Sequence, residues 1–289
     1  MLAIQIVNGL TEGMMIFLIA SGLTLIFGIT RIVNFAHGSF YMLGAFLSYT
    51  LVPLLHPGSM LGFAVSVVVA ALVVAVLGAL FEMLVLRRVY ASADLMQLVV
   101  TVALVLVVRS VVRTIWGPDN VVVPMPDALA GGLSVGDSTF PVFPLAAFAV
   151  GVAVLAAMVA VIRFTRAGIL LRAATDDRGM VALLGINQAR IFTGVFAAGS
   201  FLAALAGGLA APYGNVNFML DTTMIVTAFV VVVIGGLGSL YGALVAALAV
   251  GVLKGVSVLY APRLSMVLIF AIMAGVLIVR SLGRQPVVK

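Results

Sequence analysis

Residues 39–81 read SFYMLGAFLSYTLVPLLHPGSMLGFAVSVVVAALVVAVLGALF, without a single Asp, Glu, Lys or Arg. A helix needs roughly 20 apolar residues to cross the hydrocarbon of a bilayer, and this stretch holds two such runs divided by proline and glycine. Working outward, the same pattern fills the chain. Of its 289 residues 64% are hydrophobic and 8% charged, where soluble domains carry about half and about a quarter. A soluble domain of this length would need far more charge to cover its surface. Cysteine is absent, which removes disulfides, thiol nucleophiles and Cys metal sites from consideration. The net charge of +6 is spread between apolar runs, with no basic patch interleaved with aromatics as nucleic-acid binding requires.

The runs are 4–29, 35–52, 60–86, 95–115, 142–162, 191–211, 222–234, 240–260 and 264–279. They predict an all-α, polytopic transmembrane bundle of about nine spans (range eight to ten), as a single domain over 1–289. The seventh run is short and stops at Gly235-Gly236-Leu237-Gly238-Ser239, the mark of a broken or re-entrant helix, which lipid tolerates only where protein or a cavity surrounds it. The first run is too long for a removable signal peptide, and it lacks a basic leader and a small-residue cleavage site.

Short cytoplasmic loops retain Lys and Arg. If nine spans alternate, Arg31, Arg87, Arg88, Arg163, Arg166, Arg172, Arg178, Arg190, Arg280, Arg284 and Lys289 share one side. The other side holds Asp119, Asp127, Asp137 and Asp221, with Arg263 as its basic loop residue. This predicts an external amino terminus and a cytoplasmic carboxyl terminus.

Two loops exceed simple turns. The external one, 116–141, either meets a soluble partner or only connects two spans. The cytoplasmic one, 163–190, reads RFTRAGILLRAATDDRGMVALLGINQAR, with Leu170, Leu171, Ala174, Val181 and Leu184 at helical spacing. It predicts one short amphipathic helix ended by Gly185. Such a helix either lies on anionic lipid or docks a partner through Arg166, Gly168, Arg172, Ala173, Ala174, Asp176 and Asp177.

Polar residues inside the spans are the functional candidates. Glu82, one turn from Arg87, reads as an interfacial ion pair rather than a proton relay. Arg109 and Arg113 share a helical face close to the external end, either snorkelling or meeting a substrate carboxylate. Lys254 has no evident partner and is read as bonding to a backbone carbonyl across helices; Glu12 is ambiguous. The segment Asn34, Phe35, Ala36, His37, Gly38, Ser39 places amide, imidazole and hydroxyl beside a glycine, and is either a turn near the cytoplasmic face or a gate lining. One His makes no metal site. Gly235, Gly236, Gly238 and Ser239 are the second gating candidate. The likeness of Gly38-Ser39-Phe40-Tyr41 to Gly238-Ser239-Leu240-Tyr241 suggests an internal duplication.

Several stretches closely resemble the LivH-type permease subunits of bacterial ABC importers for branched-chain amino acids, within the branched-chain amino acid and urea permease superfamily. They are GLTLIFGITRIVNFAHGSFYMLGAFL at 22–47, RTIWGP at 113–118, the LRAATDD…ALLGIN loop, and VVIGGLGSLYGAL at 232–244. The tail at Arg280-Ser281-Leu282-Gly283 departs from the family's RPxGL. The resemblance implies a permease in the bacterial inner membrane that works with a second related permease, two cytoplasmic ATPases and an external solute-binding protein. It leaves urea or short amides as alternative cargo. The residues fit that division of labour, since no G-x-x-x-x-G-K-[ST] phosphate loop occurs, and no cofactor, nucleophile with a base, or metal cluster is expected. An ion-driven secondary transporter would need buried carboxylates that the spans almost lack.

Overall fold

The structure, a computed structural model, describes residues 2–55, 57–135, 138–260 and 265–283. The expectations resting on Asp137, Arg263, Arg284 and Lys289 lie outside them. Every apolar run forms a helix. In chain order these are α1 (Leu2–Thr30), α2 (His37–Leu51), α3 (Met60–Leu84), α4 (Asp94–Trp116), α5 (Val142–Phe164), α6 (Arg166–Asp176), α7 (Arg178–Leu183), α8 (Gln188–Ala210), α9 (Leu220–Gly235), α10 (Leu240–Tyr260) and α11 (Ser265–Gly283). The all-helical expectation is corrected at one place, a hairpin of β1 (Gly132–Val135) and β2 (Ser138–Pro141) with Leu133 opposite Phe140. Among the described residues six helical stretches are long and apolar enough to cross a membrane: α1, Met60–Val89, α4, α5, Gln188–Tyr213 and α10. The protein is a multi-pass membrane protein.

The core is α1. In its most apolar stretch 89% of residues are buried, against 17% in α4 and in α5, so α1 is the axis and α4 and α5 are outer staves. Leu72 and Val76 of α3 and Leu106 and Val107 of α4 turn outward, an apolar surface that suits hydrocarbon and would be costly in water. Small residues let backbones close on the axis. A Cβ on Gly9 would meet the Gly251 carbonyl oxygen at 2.6 Å, and one on Gly13 the Ala247 oxygen at 2.8 Å. With 9 facing 251 and 13 facing 247, α10 runs antiparallel to α1. On the other side Gly22 abuts Gly199 of α8, and α8 continues onto α2 and α3.

Two helices begin in the middle of this bundle. The Nε2 of His37, the first residue of α2, lies 2.9 Å from the Ile19 carbonyl oxygen. Ile19 is eleven residues back from Thr30, about 16 Å along α1. The non-helical segment 31–36 therefore retraces α1 into the interior, a distance that six extended residues can span at about 3.3 Å each. The turn at Arg31, with φ 59°, reverses the chain. The break foreseen at Asn34 to Ser39 exists, but it lies deep in the bundle and not near a face. From there α2 runs toward the hairpin end, where the Trp116 indole donates to Thr50 Oγ1 at 2.8 Å.

The second is α9. A Cβ on Gly38 would overlap the Asp221 carbonyl oxygen, so the first turn of α9 touches that of α2. It then runs the opposite way, ending at Gly235 against Gly242, near where Gly28 of α1 faces Gly238. The starts of α2 and α9 share more than a position. Val33-Asn34-Phe35 and Val216-Asn217-Phe218 make the same turn. Asn34 Oδ1 accepts from Ala36 N at 3.1 Å and Asn217 Oδ1 from Met219 N at 2.9 Å. The two asparagine carbonyls accept from His37 N at 3.2 Å and Leu220 N at 3.1 Å. Gly38 and Asp221, which touch, hold equivalent places after the two turns. The half-helices thus diverge about a two-fold-like centre, an arrangement of inverted repeats. By contrast Gly38 opens an interior half-helix, while Gly238 sits in the exposed turn before the full-length α10; the internal likeness of the fold is between 33–35 and 216–218.

Candidate functional site

The centre is built by four elements. Asp221, 1% exposed, accepts from Arg109 Nη2 of α4 at 2.8 Å, from Thr222 N at 2.7 Å and from Ser39 Oγ of α2 at 3.3 Å. It also lies where the N-termini of α2 and α9 converge, and the partial positive charge of both ends favours a carboxylate. Arg109 binds Thr222 Oγ1 as well, at 2.6 Å. Arg109 is therefore not snorkelling at the outer end: its Nη2 holds Asp221 and Thr222, and its Nε is buried without a hydrogen-bond partner. Asp221, read as an outer-loop residue, is interior. Arg113, one turn on, stacks over Phe218 at 5.7 Å. Of the candidates, Asn34, His37, Gly38 and Ser39 all belong to this centre and are fully or almost fully buried. Asn34 Nδ2 and His37 Nδ1 are buried without a hydrogen-bond partner. Phe35 stacks on Phe229 of α9, 5.3 Å between ring centroids, which joins the two half-helices a second time.

Gly235, Gly236, Gly238 and Ser239 are elsewhere, at the far end of α9's 16 residues. They form the tight α9–α10 turn: Gly236 and Gly238 take φ of 99° and 87°, which an L side chain resists. Ser239 Oγ accepts from Gly242 N at 3.1 Å and opens α10. This turn meets the other candidate region. A cavity of about 410 Å³ is lined by Arg163, Arg172 and Asp176 on one side and Gly238 and Tyr241 on the other.

The segment 163–190 holds two helices, α6 and α7, and not the single one expected. Thr165 caps α6 by accepting from Gly168 N at 3.1 Å. The break falls at Asp177, extended at φ −147°, ψ 102°, because its carboxylate accepts from Met180 N at 3.0 Å and starts a new helix. Gly168 is pressed on the Ile162 carbonyl, to which Arg172 also donates, so α6 is strapped to the end of α5. Ala174 faces inward; Arg166, Ala173, Asp176, Asp177 and Gly185 are exposed. Gly185, φ 73°, ends the segment as expected. Leu184, expected on the buried face with Val181, is 69% exposed, and Leu183 84%. The second helix therefore shows leucines outward at the tip.

Glu12, Glu82 and Lys254, inside the spans, are each in an ion pair. Glu82, fully buried, accepts from Arg87 at 3.0 Å, Tyr90 at 3.0 Å and Thr193 at 2.6 Å, the ion pair read from the sequence with two hydroxyls added. Lys254 does not bond to a backbone carbonyl; its partner is Glu12 of α1. Both line a cavity of about 290 Å³ between α1, α2, α9, α10 and the 210–216 segment. Sequence reading missed Asp221 and this pair. The available signal was that a lone Glu and a lone Lys in apolar runs must each find an opposite charge. Among the described residues no group of three His, Cys, Asp or Glu could hold a metal ion.

The family described as "Branched-chain amino acid transport system / permease component" matches residues 5–277. The chain is 31% identical to the high-affinity branched-chain amino acid transport system permease protein LivH of Salmonella typhimurium, over 99% of this chain and 96% of that protein. It is equally similar to LivH of Escherichia coli K12, with the same coverage. Against the permease protein BraD of Pseudomonas aeruginosa identity is 30%, covering 99% and 97%. No solved structure matches significantly.

Proposed function

Because the chain belongs to the family of branched-chain amino acid transport permease components, we propose that it is the membrane-spanning permease subunit of an ATP-driven importer of branched-chain amino acids. The observation that carries this reading is a match from residue 5 to 277 over a bundle with non-helical backbone at 31–36 and 214–219 that carries Ile32, Asn34, Ala36 and Val216 into the interior. Lipid-exposed backbone of that kind is excluded, and transporters use it where it lines a pathway. The bundle crosses nine times when α2, α9 and α11 are added to the six long helices, with the amino terminus outside and the carboxyl terminus in the cytoplasm. The Lys and Arg asymmetry of the loops supports that orientation. The whole chain is one permease domain in the bacterial cytoplasmic membrane and carries no cofactor of its own.

In this reading the chain provides half of a pathway shared with a second, related permease. An external solute-binding protein delivers cargo, and two ATPases bind the cytoplasmic segment 163–190. Arg166, Gly168, Arg172, Ala173, Ala174, Asp176, Asp177 and Gly185 form the coupling surface. The strap from α6 to α5 and the shared cavity with the Gly235 to Ser239 turn carry a push at α6 into α9, whose other end is the centre at Asn34, His37, Gly38, Ser39 and Asp221. Rocking of α2 against α9 about that centre is the gating motion.

The test is ATP-dependent leucine uptake into proteoliposomes holding the complete importer, with and without the binding protein. Uptake by this chain alone would overturn the reading. For the coupling surface, Asp176→Ala or Gly185→Val is expected to leave ATP hydrolysis running while uptake falls about tenfold or more, a loss of about 1.4 kcal/mol of coupling. Undiminished uptake would assign α6 and α7 to the lipid surface instead.

A further inference from the structure

The ion pair of Glu12 and Lys254 is unlike the other two. Glu82–Arg87 and Asp221–Arg109 each bury their carboxylate, at 0% and 2% side-chain exposure, and add hydroxyl or amide donors. Glu12 and Lys254 keep 28% and 33% exposure and both open into the 290 Å³ cavity. The rest of its wall joins an apolar stretch of Met15, Ile16, Leu220 and Met224 to the polar side chains of Tyr41, Tyr213, Asn215 and Thr227. The volume is at the low end of small-molecule pockets, about 300–1,000 Å³. One carboxylate, one ammonium and an apolar stretch of wall in one cavity form the complement of a molecule with the same three parts.

The geometry points to a binding site for a zwitterionic aliphatic α-amino acid, with Lys254 taking its carboxylate, Glu12 its ammonium, and the methionines and leucine its side chain. It rests on the reading that the chain is a permease subunit. The resident pair opens and the ligand inserts head to tail, so two ion pairs replace one and no charge is left alone. An amine without a carboxylate, or an acid without an amine, would strand one member of the pair in an apolar cavity, and a stranded charge is costly there. Selection for the zwitterion follows from that penalty, and the apolar stretch of wall adds the preference for an aliphatic side chain.

The chain has no cysteine, which gives a clean probe. Thr227, also on the cavity wall, is changed to Cys in the complete importer in proteoliposomes. Its labelling by a small water-soluble methanethiosulfonate is followed by the mass of this chain. Mass action lowers the rate by 1 + [L]/Kd, so leucine at a few times its Kd slows labelling about fivefold. Isoamylamine and 4-methylpentanoate, which have the same aliphatic chain and one charge each, should give no protection. Lys254→Met and Glu12→Gln should each abolish protection by leucine, each variant being compared with its own unliganded labelling rate, and Lys254→Arg should keep it. Equal protection by all three compounds, protection that survives Lys254→Met and Glu12→Gln, or no labelling of Thr227→Cys at all would each overturn the proposal. If the wild-type importer carries leucine and leucine does not protect, only this site fails. If it carries no leucine, the function proposed above fails.

Discussion

The two turns at 33–35 and 216–218 make the same hydrogen bonds and lead into different electrostatics. After the first come His37, Gly38 and Ser39, neutral or small; after the second come Leu220, Asp221 and Thr222. The equivalent positions Gly38 and Asp221 press together at the centre, where a Cβ on residue 38 would run into the Asp221 backbone carbonyl, so the first turn needs a glycine there while the second carries a carboxylate. The two turns therefore differ in sequence at the point where they touch. The difference places a single charge between two helix N-termini, where a second carboxylate would repel the first.

The largest way to break this comparison is to remove the charge. Asp221→Leu should destabilise the protein by about 3–5 kcal/mol, since Arg109 is left unpaired in the interior. Adding Arg109→Leu should recover part of the loss, so thermal unfolding of the two single variants and the double variant should be strongly non-additive. Additive losses would mean that the pair does not hold the half-helices. Next is the glycine. Gly38→Ala drives a methyl into a backbone oxygen that cannot swing away, and should cost about 1–3 kcal/mol; a neutral result in the same unfolding assay would deny the contact. Smallest are the turns themselves. Asn34→Ala and Asn217→Ala each remove one cap to a backbone N–H, worth about 1 kcal/mol. Similar losses at both would sharpen the equivalence, and a loss at only one would break it.

Much of this was legible from apolar runs alone. Residues 240–260 bound α10 as observed, and 142–162 begins where α5 begins, because a run of spanning length between polar breaks has few alternatives to a helix. The polar cluster at 34–39 and the glycine-rich stop at 235 were visible for the same reason. Depth was not. Hydropathy registers that 35–52 is apolar, and says nothing of whether the chain reaches that helix at the surface or retraces α1 to start it inside. The partners of the lone charges were also hidden, since Arg109 and Asp221 are 112 residues apart and Glu12 and Lys254 are 242 apart. No local rule joins them. The division of α6 from α7 was local and still missed, because Asp176-Asp177 fits a helix by spacing and breaks it by capping.

The burial of α1 bears on how the protein is made. Its main neighbour α10 is translated long after it, and Lys254 follows its partner Glu12 by 242 residues, about 10–50 s of synthesis at 5–20 residues per second. For that interval α1 is in the membrane with an acidic side chain and a row of glycines facing lipid or the insertion machinery. Because α1 gains α10 only after that interval, any truncation before α10 leaves the axis of the bundle without its main contact and exposed to quality-control proteases.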